Sequence, residues 1–227
     1  MFGLTLFNIS LTLLIYIGSR VLYRYISNPF TTPVLLTTIL VIIVLRIADI
    51  NYEQYTPAKE WLTYLLGPAT VALAVPMYKN RLVIKEKALQ VSVGLTVGSL
   101  ATIASAIGIS KLLNLSERVQ ATSAVKAVTT PVAIEIVPII GGDPTLAAVL
   151  VITAGIFGAA FGSSCLTLFK IHDPISRGLG IGTVSHGIGT SQAVAEGKIQ
   201  GAVSSVAMGA AAIFTSIILP LIYNLFH

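Results

Sequence analysis

Charge is what this sequence has least of. Only 10% of its 227 residues are Asp, Glu, Lys or Arg, whereas a water-soluble domain carries about a quarter, so a soluble globular fold is excluded. Cysteine occurs once, at Cys165, which leaves no intrachain disulfide framework and no thiolate-based metal site. The histidines are His172, His186 and His227; they lack metal-ligand spacing, and no metal or other cofactor is expected. There is no Gly-x-Ser-x-Gly elbow and no phosphate loop ending in Lys-Ser/Thr. Ser185 and His186 are adjacent and would point in different directions on a helix. Enzymatic activity is not expected.

What fills the chain instead is long uncharged runs: Met1–Ser19, Tyr25–Leu45, Trp61–Tyr78, Ala88–Ser110, Pro144–Phe169 and Ile199–Phe226. Each is long enough for a helix to cross a hydrocarbon core of about 30 Å. With 55% hydrophobic residues and a mean hydropathy of +0.88, the chain is expected to be an all-α polytopic membrane protein. One membrane domain over 1–227 is expected, with about seven transmembrane helices and a re-entrant, broken-helix hairpin. Met1–Ser19 has no basic leader and no small-residue cleavage site before Arg20, so it is read as a retained span. The net charge of +5 is carried between the spans, where it sets orientation rather than binding nucleic acid.

Two stretches break the apolar pattern. The first is Lys126-Ala-Val-Thr129-Thr130-Pro131-Val-Ala-Ile-Glu135-Ile-Val-Pro138. Proline cannot donate a backbone hydrogen bond and pushes the preceding residue out of the helical region, so a helix should break near Thr130–Pro131. In lipid, such a break survives only where protein or a wet cavity satisfies the freed groups. A broken helix beside an intramembrane charge is the usual form of a solute site. The second stretch runs from Gly178 to Gly197 through Ser185, His186, Gly187, Gly189, Thr190 and Ser191. Its glycines weaken a helix interior and let backbone approach a ligand closely, with His186 at the break and a second half-helix opening at Thr190.

The basic residues predict the topology. An N-terminus outside, with residues 117–140 dipping in and returning on one side, places Arg20, Arg24, Lys79, Arg81, Lys85, Lys87, Lys170 and Arg177 in the cytoplasm. Arg46, Lys59, Lys111, Arg118 and Lys198 then lie outside, the better positive-inside split. Residues 178–197 are expected to cross outward. Thr31-Thr32-Pro33-Val34 recurs as Thr129-Thr130-Pro131-Val132, and Gly67-Pro68-Ala69-Thr70 is echoed by Gly187-Ile188-Gly189-Thr190. These echoes predict an inverted repeat, with halves at about 25–112 and 117–227 behind an extra helix at 1–24. Gly94, Gly98, Thr102 and Ala106, and later Ala154, Gly158 and Gly162, form small-residue stripes for close helix packing; a homodimer joined through them is the expected assembly.

At these stretches the sequence resembles the LrgB/CidB family of bacterial membrane proteins. The residues that carry the resemblance are Leu66-Gly67-Pro68-Ala69-Thr70-Val-Ala-Leu-Ala-Val-Pro76-Met-Tyr78-Lys79, Lys126-Ala-Val-Thr129-Thr130-Pro131-Val-Ala, and Ser185-His186-Gly187-Ile-Gly189-Thr190. The resemblance covers nearly the whole chain. It implies a bacterial cytoplasmic-membrane protein of one of two kinds. One is an antiholin- or holin-like regulator of murein hydrolase activity and autolysis, working with a small LrgA/CidA partner. The other is a carrier of pyruvate, glycolate or glycerate, since the C-terminal part of the plastid glycolate/glycerate translocator is similar to this chain. Under the carrier reading, Lys126, Thr129, Thr130, Pro131, Ser185, His186, Gly187, Gly189, Thr190 and Ser191 would surround the carboxylate. Asn28, Thr31, Thr32, Pro68 and Thr70 would supply the matching half, and Glu135 or Glu196 a coupled proton.

Overall fold

Caps and prolines decide where the helices begin. Asn51 accepts the Gln54 N–H while the Gln54 side chain takes the Asn51 N–H. Asp143 and Asp173 accept the N–H groups of Leu146 and Ser176. Each of these aspartates is followed by a proline, whose missing N–H is harmless in a first helical turn. A computed structural model describes residues 2–26, 28–72 and 74–226, the side chains of 66, 69, 70 and 224–226 apart.

The described residues are all-α, with no strand. In order, the helices are α1 (Phe2–Tyr25), α2 (Pro33–Ile47), α3 (Tyr52–Tyr64), α4 (Leu66–Ala72), α5 (Ala74–Lys79), α6 (Arg81–Glu86), α7 (Ala88–Leu112), α8 (Glu117–Ala124), α9 (Thr130–Ile136), α10 (Pro144–Leu168), α11 (Pro174–Glu196) and α12 (Lys198–Phe226). A 3-10 turn, Val137–Ile140, extends α9. Four of them are long and apolar enough to cross a bilayer: α1, α7, α10 and α12. The uncharged run 61–78 is not one helix but falls across α3, α4 and α5, and α2 has 15 residues.

The chain divides into two compact units, residues 1–73 and 74–227. In the first, α1 packs on α2 and α3. The polar links here are Asn8 Nδ2 to the Gln54 carbonyl at 3.3 Å and Thr12 Oγ1 to the Tyr55 hydroxyl at 3.0 Å. In the second, α11 lies against α10, α12 and α7. A core of Val125, Val128, Ala133, Val137, Val151 and Leu219, with neighbours, joins α8 and α9 to α10 and α12.

The small-residue stripes are used inside the second unit. A Cβ on Gly94 or Gly98 would meet Leu179 or Thr183, and a Cβ on Gly158 would overlap Ser185. Gly94, Gly98, Gly158 and Gly162 therefore face α11. The glycines of these stripes thus serve close packing inside the chain.

Candidate functional site

The first polar stretch breaks where its sequence predicts. The helix α8 stops at Ala124, Val125–Thr129 are non-helical, and Thr129 stands at the N-cap of α9 with Pro131 in the first turn. The chain then returns to its starting level. Arg118, at the start of α8, pairs with Asp143 at 2.6 Å, and the Asp143 N–H donates to Thr122 Oγ1 at 2.8 Å. A straight 25-residue helix would separate Arg118 from Asp143 by about 37 Å. Residues 117–143 are therefore a re-entrant hairpin with its tip at Val125–Thr129.

The second stretch departs from expectation. It breaks at His186 (φ 41°, ψ −137°), but it turns back instead of crossing. Arg177 and Glu196, near its two ends, form an ion pair, although 19 residues of straight helix would hold them about 28 Å apart. The neighbouring helix α12 confirms the reversal. Gly178 and Gly182 face Gln200 and Ser204, a parallel pairing, while Thr190 and Val194 face Ser204 and Gly201, an antiparallel one. Residues 174–185 and 187–196 are thus two antiparallel arms. The same logic makes the first arm parallel to α7 (Gly94–Leu179, Gly98–Thr183) and antiparallel to α10 (Gly162–Ile181, Gly158–Ser185).

The two hairpins enter from opposite ends. The mouth of the first lies at the C-terminal ends of α7 and α12, where Glu117 follows closely on α7 and the Tyr223 hydroxyl donates to the Glu117 carbonyl at 3.4 Å. The mouth of the second lies at the N-terminal ends of the same helices, with Lys87 acting on Asp173 and Gly178 against Gln200. A hairpin followed by a long span, 117–168 and then 174–226, occurs twice with opposite direction. This is an inverted arrangement of discontinuous helices, set within the second unit.

Both tips arrive near the middle of the spans. Lys126 Nζ donates to the Thr102 carbonyl at 3.0 Å, two residues past the midpoint of α7. His186 Nε2 donates to the Val151 carbonyl at 2.9 Å, and Val151 packs with Val125 and Val128 of the other tip. Lys126 is half-buried, and among the described residues no acidic side chain pairs with it.

The remaining candidates sort by position. Thr129 and Thr130 are half-buried at the first tip, and Pro131 is exposed. At the second tip, Thr190 is fully buried and bonded to the His186 carbonyl and to Ser204 Oγ. Ser185 packs on Gly158, Gly189 crosses Ser185 and Ile181, and Gly187 touches Met208. Ser191 is exposed and bonds the Ile188 carbonyl. The glutamates lie elsewhere: Glu135 is exposed on α9, and Glu196 is held by Arg177 and Ser163 at a hairpin mouth. In the first unit, Asn28 and Thr31 cap each other's backbone and the Thr32 hydroxyl bonds Pro29, so these side chains shape a turn. Pro68 is exposed in α4, and the side chain of Thr70 lies outside the described residues. Sequence reasoning missed Thr102, Val151, Ser163 and Ser204. Thr102, Val151 and Ser163 contribute backbone carbonyls, which no residue type announces.

Comparison with known proteins agrees with this architecture. The profile described as the LrgB-like family matches residues 12–225. An uncharacterised protein of Bacillus subtilis, YwbG, is 37% identical over 90% of this chain and 91% of its own length. The holin-like protein CidB of Staphylococcus aureus is 31% identical over 96% of each. No solved structure matches. Two opposed hairpins among long apolar spans, and a match across nearly the whole chain, place this multi-pass membrane protein in the LrgB-like family.

Proposed function

We propose that the chain is a carrier of small monocarboxylates working by alternating access. The observation that carries this reading is Lys126: an ammonium group at mid-span, between two hairpin tips, without an acidic partner among the described residues. An ionisable group at that depth is expensive and is ordinarily kept for function. Its charge and size suit a carboxylate of the pyruvate, glycolate or glycerate class. Each hairpin blocks access from one side, so rocking one against the long spans would expose the site alternately.

The hairpin geometry also supports an orientation. Lys79, Arg81, Lys85, Lys87, Lys170, Arg177 and Lys198 gather at one end of the second unit, against Lys111 and Arg118 at the other. The positive-inside bias assigns the first end to the cytoplasm. In this topology Lys198 moves to the cytoplasmic side, which strengthens the asymmetry.

The holin-like name of the CidB relatives supports a second reading, a holin-like pore or a regulatory subunit with an LrgA/CidA-type partner. The two meet if carboxylate flux is what alters murein hydrolase activity and autolysis. Purified chain in liposomes separates them. Saturable uptake of labelled pyruvate or glycolate, lost in Lys126→Gln, is the expected result. Unsaturable leakage of a trapped dye would make it a pore.

A further inference from the structure

Arginine stays at a protein surface unless its charge is paired, yet Arg177 is only 7% exposed. Its guanidinium donates through Nε to Glu196 Oε1 and through Nη2 to the Ser163 carbonyl at 3.0 Å. Nη1 donates to Thr167 Oγ1 at 3.1 Å and to the Ile171 carbonyl at 2.8 Å. The Ser163 hydroxyl donates to the other Glu196 oxygen at 2.7 Å. These bonds fall into two groups. The Arg177–Glu196 pair joins the two arms of the second hairpin to each other. The rest fasten that hairpin to the C-terminal part of α10 and to the loop after it.

The seam between the first arm and α10 shows what this fastening controls. On α10, Gly155, Gly158 and Gly162 lie against His186, Ser185 and Ile181. Glycines offer no side chains for the arm to interlock with, so the α10 side of the seam is smooth there. A tie stands at each end: His186 to the Val151 carbonyl at the tip, and the Arg177 cluster at the mouth. The mouth lies beside Phe169 and Lys170, which are exposed, so water can take the place of the partners when they separate.

We propose that the Arg177 cluster is the latch of the cytoplasmic gate. It rests on the carrier reading and on the assignment of this mouth to the cytoplasm. Fastened, it holds the second hairpin on α10 and shuts the cytoplasmic path to Lys126. The gate opens when Arg177 leaves Ser163, Thr167 and Ile171, and Glu196 leaves Ser163. The Arg177–Glu196 pair travels with the hairpin, so opening breaks hydrogen bonds without stranding a buried charge.

The test joins the hairpin to α10 at the seam. A Cβ on Gly162 would stand 3.8 Å from Ile181 Cγ1, close enough for cysteines at the two positions to be cross-linked. In the full chain with Cys165→Ser, the pair Gly162→Cys and Ile181→Cys is expected to take up labelled glycolate into proteoliposomes when reduced. Oxidation is expected to stop uptake, and reductant to restore it. A second arm labels Ile181→Cys alone with an impermeant thiol reagent from the Lys170 side. Ser163→Ala should raise that labelling rate about tenfold, the loss of one hydrogen bond holding the gate shut, and Ser163→Thr, which keeps the donor, should leave it near the starting rate. Undiminished uptake by fully cross-linked protein, or labelling indifferent to Ser163→Ala, overturns the latch and leaves the carrier standing. Absence of saturable uptake by wild type overturns the carrier and the latch together.

Discussion

The backbone of His186 sits at φ 41°, ψ −137°, a region that residues with a Cβ rarely adopt and that costs about 1–3 kcal/mol. The contacts of the ring help to hold it there: Nε2 donates to Val151, and a Cβ on Gly155 would come within 2.7 Å of the ring. Replacing His186 by Ala keeps the strain and loses the bond, whereas Gly loses the bond but relieves the strain. His186→Gly should therefore be more stable than His186→Ala by about 1 kcal/mol in thermal unfolding in detergent, the reverse of the order inside a helix. At this scale the sequence is legible where chemistry is loud. Lys126, His186 and Pro131 stand out in an apolar run, and all three fall at or beside a hairpin tip. Ser163 does not stand out, because a serine in a span of small residues is indistinguishable from packing until its partners are seen.

Each hairpin is an element closed at its mouth by one Arg–carboxylate pair, and the two pairs differ in burial. The Arg177 and Glu196 side chains are mostly buried and gather Ser163, Thr167 and the Ile171 carbonyl around them. Removing either partner leaves a charge stranded and should cost about 3 kcal/mol; the double change Arg177→Met with Glu196→Gln should cost less than the two single changes together, as a double-mutant cycle in thermal unfolding would show. The Arg118–Asp143 pair is more exposed and should contribute little, because solvent screens it. The aspartate caps add a pH term. The Leu146 N–H holds the Asp143 carboxyl below the ordinary value, and the Ser176 hydroxyl and N–H do the same for Asp173. Because both are depressed by folding, their contribution is present above about pH 4 and lost as the pH falls through the lowered values. Unfolding measured between pH 5 and pH 3 should show a stability loss that Asp143→Asn and Asp173→Asn diminish. The break in 117–140 is legible because Pro131 acts on its immediate neighbours. The reversal of 174–196 is not, because a run of glycines marks a weak helix without fixing the direction in which the chain leaves it. That direction depends on Arg177 finding Glu196 and on Gly158 admitting Ser185, contacts between residues 19 and 27 positions apart.

For the whole molecule, the hairpins set which loops share a side. With Cys165 replaced by Ser as background, single cysteines at Lys170 and Lys198 should label from the same side of an oriented vesicle, and one at Asn114 from the other. Had 174–196 crossed, Lys198 would label with Asn114. Composition alone makes the membrane class and the all-α fold legible, since uncharged runs of this length leave few alternatives. The pairing of two hairpins from opposite ends is the feature on which the proposed carrier role rests, because it brings Lys126 and His186 to mid-span with an ion pair at each mouth. The most direct test is a density map of the chain in lipid with glycolate added. Two hairpins, and ligand density between their tips within hydrogen-bond reach of the Lys126 ammonium, are predicted. A continuous helix through His186, or glycolate bound only at the surface, would contradict the account.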